Sequence, residues 1–198
     1  MRTRLILPLV IFASSLPCLA QTQERCEARQ KLIFMPDSLK PYDFNDDNAR
    51  WGWRHSSQTQ NIIYLWEKPF GDDTRNAPSL EGQPMNFDLG NLQTKVEHFY
   101  RFFRDTLKFS LPGSICDRYK MMVMINYSLE GTAYGGTYDD FIGALWVTPN
   151  RIQDRKLNCL AHELGHSFQL QIIADRKGEA WGGSGFYEMT SQWMLWRV

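Results

Sequence analysis

Runs of apolar residues predict three β-strands in the central part of the chain. Residues 61–66 (NIIYLW) are rich in β-branched and aromatic side chains, which favour a strand. Residues 119–127 (YKMMVMINY) are apolar enough to lie inside a sheet, and residues 142–148 predict a third strand that ends before Pro149. The glycines of residues 131–140 (GTAYGGTYDD) predict instead a flexible or closely approached loop.

Apolar side chains at three- and four-residue spacing predict three helices. Residues 151–174 give the strongest helical pattern, and residues 186–198 (FYEMTSQWMLWRV) predict a last helix after a glycine-rich connection at residues 178–185. An earlier amphipathic helix ends before Pro112. Strands and helices in this order predict an α+β fold. The apolar positions of the earlier helix are Val96, Phe99, Tyr100, Phe103 and Leu107.

The first 60 residues are predicted to lie outside the main domain. Residues 1–20 combine early arginines, a short apolar run and a small residue at Ala20, which together predict a signal peptide cleaved near Ala20. We therefore expect a secreted or periplasmic protein. No stretch is long enough to predict a membrane span. Residues 21–60 are polar and turn-rich and predict a loosely structured N-terminal arm with two docking tryptophans, which leaves residues 61–198 as one domain.

The charge and cysteine content exclude some classes of function. The whole chain has a formal net charge of +0, and loss of the signal peptide leaves about −2, so the basic excess of a nucleic-acid-binding protein is missing. Cys26, Cys116 and Cys159 remain after cleavage, without the C-x-x-C spacing of a cysteine zinc site. One disulfide or three buried thiols both fit them, and the pairing stays open.

An acidic run at residues 43–48 (DFNDDN) suggests a calcium loop at first sight. The EF-hand pattern requires Gly at its sixth position and Glu at its twelfth, whereas this chain has Asn48 and Arg54 there. A solvated loop is the favoured interpretation.

Residues 161–169 (AHELGHSFQ) carry the clearest candidate chemistry. On a helix His162 and His166 project from the same face one turn apart, so their ring nitrogens can converge on one zinc ion. Glu163 lies about 100° round the helix, where its carboxylate can take a proton from a metal-bound water. With 4 His in the chain, roughly 0.004 chance matches to H-E-x-x-H are expected. The alternative is a pair of surface histidines on an amphipathic helix.

A catalytic zinc site needs a third protein ligand, and we predict Glu188. No histidine follows His166, and the later acids Asp175 and Glu179 fall at the predicted helix end and in its loop. Apolar neighbours would make an unpaired carboxylate at 188 costly, and a dication would offset that cost. The alternative is that Glu188 faces water. The apolar neighbours are Phe186, Tyr187, Met189 and Trp193.

The motif His162-Glu163-Leu164-Gly165-His166 followed by Glu188 resembles the gluzincin division of the zincin metallopeptidases. More narrowly, HELGHSFQ with FYEMTSQW is similar to secreted bacterial domains that carry an H-E-x-G-H-x-x-Q helix, a pattern shared with the enhancin-like, mucin-directed peptidases. The resemblance covers residues 158–196.

The resemblance implies a zincin-like fold: a small mixed sheet packed on an active-site helix, with a C-terminal helix carrying the third ligand. It also implies an edge strand that binds substrate backbone, which would be residues 141–147, with residues 143–146 along the cleft. The chain departs from many gluzincins in having Ser191 and Gln192 a turn after the ligand, where they could hydrogen-bond to Glu188. The sequence stops at Val198, which fits either a small zincin or a truncated form.

Further residues are candidates for supporting roles. Gln169 lies seven residues after His162 on the same helix face, where it could orient a ligand or the substrate or bond within the core. Cys159 is expected to be a buried thiol or a half-cystine. Four side chains are candidate donors to a transition-state oxygen, namely Tyr134, Tyr138, Tyr187 and His55.

These patterns together predict a secreted zinc metallopeptidase. In this hypothesis Zn²⁺ is bound by His162, His166 and Glu188, Glu163 is the general base, and a protein or glycoprotein is the substrate. The alternative from another class is an exported glycan- or protein-binding module whose zinc site is structural or inactive. A zinc hydrolase that acts on other substrates is a third possibility.

Overall fold

The computed structural model of this protein describes residues 30–178 and 183–198, so the predicted signal peptide lies outside the described residues. The described helices are too short or too polar to cross a lipid bilayer. The strands are β1 (Ser56–Gln58), β2 (Ile62–Trp66), β3 (Met121–Ile125), β4 (Ala133–Tyr138) and β5 (Ile142–Val147), and the α-helices are α1 (Leu89–Arg101), α2 (Asn158–Ala174) and α3 (Ser184–Leu195).

The five strands form one mixed sheet in the order β1-β2-β3-β5-β4. The inner strands β2, β3 and β5 are parallel, whereas β1 and β4 pair antiparallel at the two edges. The predicted α+β class and the mixed sheet are confirmed. The three predicted strands are confirmed as β2, β3 and β5.

Two expectations about the sheet were wrong. Residues 131–140 were predicted as a loop, yet they contain β4. Residues 141–147 were expected to form the edge strand, yet β5 lies between β3 and β4, and β4 is the outer strand. The burial of the two strands explains the arrangement. Most of β5 is buried, as an inner strand requires, whereas β4 is partly exposed.

The core lies between the sheet and the helices. Every residue of β2 and β3 is buried. On the helical side, the fully buried ring of Phe168 in α2 packs against Tyr100 and Phe103, with ring centroids 5.2 and 5.9 Å away. Burying a side chain of this size contributes roughly 1.5–3 kcal/mol. α2 is therefore held firmly against the rest of the domain.

The predicted amphipathic helix is confirmed as α1. It begins at Leu89 because the Asp88 carboxylate accepts a hydrogen bond from the backbone N–H of Asn91 at 3.0 Å. After Arg101 the helix continues as a π-helical turn, Phe102–Thr106.

α2 begins at Asn158, so the predicted start at residue 151 was wrong. Leu157 adopts the left-handed backbone conformation (φ 56°), which a right-handed helix cannot include. Two polar contacts then fix α2 to β5. The Ser167 hydroxyl donates to the Ala144 carbonyl at 2.8 Å, and Gln171 Oε1 accepts from the Gly143 N–H at 2.7 Å. The helix that carries the histidines is thus anchored directly to the sheet.

Residues 30–55 consist mostly of turns that lie against the core. Leu39, Phe44 and Trp51 are buried there. The docking predicted for the two tryptophans of this segment is confirmed for Trp51, whereas Trp53 remains 40% exposed beside the ring of Phe44.

Candidate functional site

The two histidines of α2 meet as their spacing predicts. The Nε2 atoms of His162 and His166 lie 3.1 Å apart, and the rings are nearly perpendicular, at 86°. Both side chains are mostly buried, so their ring nitrogens point into one confined space.

Glu188 of α3 reaches both rings. Its Oε2 lies 3.1 Å from His162 Nε2, and its Oε1 lies 3.4 Å from His166 Nε2. Among residues 30–178 and 183–198, these three side chains form the one group of three or more His, Cys, Asp or Glu residues close enough to share a metal ion. The structure therefore brings together the three predicted ligands.

The predicted environment of Glu188 was nevertheless wrong. Its carboxylate was expected to lie among buried apolar neighbours, yet the Glu188 side chain is 62% exposed. Phe186, Met189 and Trp193 are also exposed, because α3 packs mainly on α2 and turns these residues to solvent. The carboxylate of Glu188 therefore faces the histidines because of where residue 188 lies on α3, and not because apolar neighbours bury it.

α3 crosses α2 at a glycine. A Cβ atom at Gly165 would come within 3.0 Å of the Ser191 side chain, closer than real Cβ atoms approach. The Ser191 hydroxyl donates to the backbone carbonyl of His162, so it does not make the bond to Glu188 that the sequence suggested. The close crossing brings Glu188 within reach of the two rings.

Glu163 lies beside the cluster on the β4 side of α2. Its Oε2 accepts a hydrogen bond from the backbone N–H of Gly135 at 2.9 Å. Burial raises the pKa of the Glu163 carboxyl, and the bond from Gly135 opposes that rise. The strand approaches so closely that a Cβ at Gly135 would overlap the Glu163 carbonyl oxygen. The glycines of residues 131–140 predicted a closely approached loop. The close approach is confirmed at Gly135, but this residue belongs to a strand and not to a loop.

A cavity of about 290 Å³ opens in front of these side chains. Ala133, Tyr134 and Gly135 of β4 form one wall, and Leu170 of α2 and Tyr187 of α3 also line it. Ala133, Gly135 and Leu170 were not predicted as residues of the site. The adjacent glycines of β4 were the signal that could have found this wall.

Two of the four candidate oxygen donors lie at this cavity, namely Tyr134 and Tyr187. Tyr138 and His55 are not among the residues that line it. The Tyr138 hydroxyl accepts a hydrogen bond from Trp146 Nε1 at 3.1 Å. His55 is buried at the other end of the sheet, beside the ring of Trp66.

Gln169 lies behind the histidines. Its Oε1 is 2.9 Å from His166 Nδ1, and its Nε2 donates to the Tyr187 carbonyl at 3.0 Å. The buried amide of Gln169 therefore contacts His166 on α2 and the backbone of α3.

The remaining candidates lie apart from the cluster. Cys116 and Cys159 are both free thiols, and burial raises the pKa of Cys159, whereas Cys26 lies outside the described residues. In the acidic run, the carboxylates of Asp43 and Asp46 accept hydrogen bonds from backbone N–H groups two residues further along. All residues of this run except Phe44 are exposed, which confirms the solvated loop.

Fold and site together define an α+β protein in which two imidazoles and a carboxylate converge beside a half-buried glutamate. The chain belongs to the family DUF6055, described as a family of unknown function, whose family model matches residues 25–198. No curated protein and no solved structure matches the chain.

Proposed function

We propose that this chain is a zinc-dependent hydrolase that cleaves peptide bonds. The observation that carries the proposal is the triangle formed by His162 Nε2, His166 Nε2 and the Glu188 carboxylate, with Glu163 beside it. Export, with cleavage near Ala20, belongs to the same proposal.

The spacing of the three groups supports a zinc site. Tetrahedral zinc with bonds of about 2.0–2.2 Å places neighbouring ligand atoms about 3.3 Å apart. The two ring nitrogens are 3.1 Å apart, and Glu188 offers Oε2 at 3.1 Å from His162 Nε2 and Oε1 at 3.4 Å from His166 Nε2. With one ligand atom taken from each residue, the three atoms lie within 4.8 Å of one another. Two imidazoles and one carboxylate are ligands that zinc accepts, whereas magnesium and calcium prefer oxygen ligands alone. The cavity in front of the triangle gives room for water and substrate.

The residues of the chain then have distinct roles. A zinc ion bound by His162, His166 and Glu188 would lower the pKa of a water molecule toward neutrality and would polarise the substrate carbonyl. Glu163 would accept the proton of the water whose oxygen attacks the carbonyl carbon, and would pass that proton to the amine nitrogen as the C–N bond breaks. Burial raises the pKa of Glu163, which favours a group that has to take up a proton and release it again.

The position of β4 at the edge of the sheet is an argument for a polypeptide substrate. This strand borders the cavity with Ala133 and Gly135, and an edge strand turns the backbone N–H and C=O of every second residue away from the sheet. The Gly135 N–H is bonded to the Glu163 carboxylate, so a peptide would pair with other backbone groups of this edge. An extended peptide can pair with such an edge while its scissile carbonyl lies at the metal. This arrangement supports a polypeptide as the proposed substrate, whether a protein or a glycoprotein.

The test is hydrolysis of casein and of mucin by the zinc-loaded protein. Glu163→Gln keeps the ligands and removes the base, so we expect full zinc content with turnover reduced more than about 100-fold. The exposed Glu130 provides the matched control, and Glu130→Gln should retain activity. Equal activity of Glu163→Gln and the wild-type protein contradicts the proposed mechanism.

A binding module with a structural or inactive zinc site is the second candidate. One observation favours it: large apolar side chains of α3 face solvent, which is typical of interaction surfaces. The result that would favour this candidate is stoichiometric zinc in the wild-type protein without hydrolysis of either substrate. The exposed side chains are Phe186, Met189 and Trp193, with Trp196 just beyond the helix.

A further inference from the structure

The side-chain amide of Gln169 joins two parts of the site. Its oxygen contacts Nδ1 of His166, and its nitrogen contacts the backbone carbonyl of Tyr187, the residue before Glu188. Gln169 is 7% exposed, so little water can replace these partners. One amide thus contacts a candidate ligand on α2 and the backbone next to a candidate ligand on α3.

The two contacts have one consistent assignment of hydrogens. The Tyr187 carbonyl oxygen carries no proton, so the amide nitrogen of Gln169 must face it and donate. The amide oxygen then faces His166 and can only accept, so Nδ1 of His166 must carry the proton. A neutral His166 therefore has an unprotonated Nε2, which is the atom that points at His162 and Glu188.

The same amide fixes the position of α3 along α2. Gln169 of α2 donates to a carbonyl of α3, and Ser191 of α3 donates to the His162 carbonyl of α2. The two α3 residues in these bonds, Tyr187 and Ser191, lie on either side of Glu188 in the sequence. α3 has few other anchors, because Ser191 and Met194 are the buried residues of this helix.

We propose that Gln169 is the positioning residue of this site. It holds His166 in the tautomer with the proton on Nδ1, and it holds α3 where Glu188 reaches both rings. This inference rests on the zinc site proposed above. It extends that site by a residue that binds no metal and instead orients two of the groups that do.

Gln171 provides the matched control, because it is also a buried glutamine of α2 whose amide is fully hydrogen-bonded. It accepts from the Gly143 N–H and donates to the Phe141 carbonyl and the Asp175 carboxylate, so its partners are not the proposed metal ligands. Gln169→Met and Gln171→Met each remove a buried amide from the same helix. A merely structural role predicts the same effect on zinc affinity for both.

The first measurement is the zinc dissociation constant, obtained by chelator competition, together with the visible absorption of the cobalt-loaded protein. We expect Gln169→Met to weaken zinc binding about 10–100-fold and to change the cobalt spectrum, as loss of a residue that orients a ligand does. Gln171→Met should lower the melting temperature but keep the wild-type zinc affinity and cobalt spectrum.

Gln169→Glu keeps an acceptor for His166 but has no donor for Tyr187, so it should weaken zinc binding while the His166 tautomer is retained.

The second measurement reads the tautomer directly by ¹⁵N NMR of the zinc-free wild-type protein, and it does not depend on the folding of a variant. We expect the proton of His166 on Nδ1. A proton on Nε2, or a Gln169→Met protein with wild-type zinc affinity and cobalt spectrum, overturns this inference and leaves the zinc site intact. A wild-type protein that binds no zinc overturns the proposed function, and this inference falls with it.

Discussion

The backbone N–H of Gly135 donates a hydrogen bond to the carboxylate of Glu163 over 2.9 Å. This bond connects the outer strand of the sheet to the proposed general base. It forms because the residue at 135 has no side chain to keep α2 away from β4. The position of the base therefore depends on a glycine that no metal-binding motif includes.

Gly135→Ala should disturb this contact. The added methyl group overlaps the Glu163 backbone, which cannot move aside, so we expect a loss of about 1–3 kcal/mol in unfolding free energy. Displacement of Glu163 should also lower casein hydrolysis by about 100-fold. Gly136→Ala is the control, because its Cβ would meet side-chain atoms of Tyr134 and Trp146 and not the backbone of α2. If the two variants behave alike in thermal unfolding and in turnover, the position of Glu163 does not depend on Gly135.

Glu188→Ala should weaken zinc binding by more than about 100-fold, because it removes a direct ligand and outer groups alone account for 10–100-fold effects. Chelator competition measures the change, and Glu130→Ala is the control for loss of an exposed acid. Unchanged zinc stoichiometry and affinity in Glu188→Ala would assign the third ligand to another residue.

Gly165→Ala should separate α3 from α2, because the new methyl group overlaps the Ser191 hydroxyl. We expect lower thermal stability and weaker zinc binding, since Glu188 moves with α3. Combining it with Ser191→Ala removes the atom that clashes most, so the double variant should recover part of the loss. Losses that simply add in a double-mutant cycle of zinc affinity would show that the two positions are not coupled.

Removal of zinc by a chelator should loosen α3 and leave the sheet intact. α3 buries few of its side chains, whereas β2 and β3 are completely buried, so a metal bond to Glu188 would be a large share of what holds the helix. Hydrogen exchange measured with and without zinc should differ strongly in residues 184–195 and little in the strands. Equal protection of α3 in both states contradicts this expectation.

Much of the fold could be predicted because burial leaves a clear pattern. The continuous apolar runs of β2, β3 and β5 belong to strands covered on both faces, and the H-E-x-x-H spacing places two rings on one side of a helix. The position of Glu188 beside these rings was predicted as well, although its environment was predicted incorrectly.

The rest could not be predicted because it depends on tertiary contacts. β4 has no regular alternation of apolar residues, and its glycines serve the approach of α2, which local sequence does not encode. The start of α2 was misplaced because Leu157 adopts a left-handed conformation that is rare for leucine. The bond from Gly135 to Glu163 joins residues that are far apart in sequence, so no local pattern indicates it.

In the proposed site, one zinc ion is held by the imidazole pair of α2 and by a carboxylate of α3. Anomalous diffraction at the zinc absorption edge from crystals of the zinc-loaded protein tests it most directly. We expect a single strong peak about 2.0–2.2 Å from His162 Nε2, His166 Nε2 and a Glu188 oxygen. A peak whose nearest atoms belong to other residues, or no peak between these three side chains, would contradict the proposed zinc site.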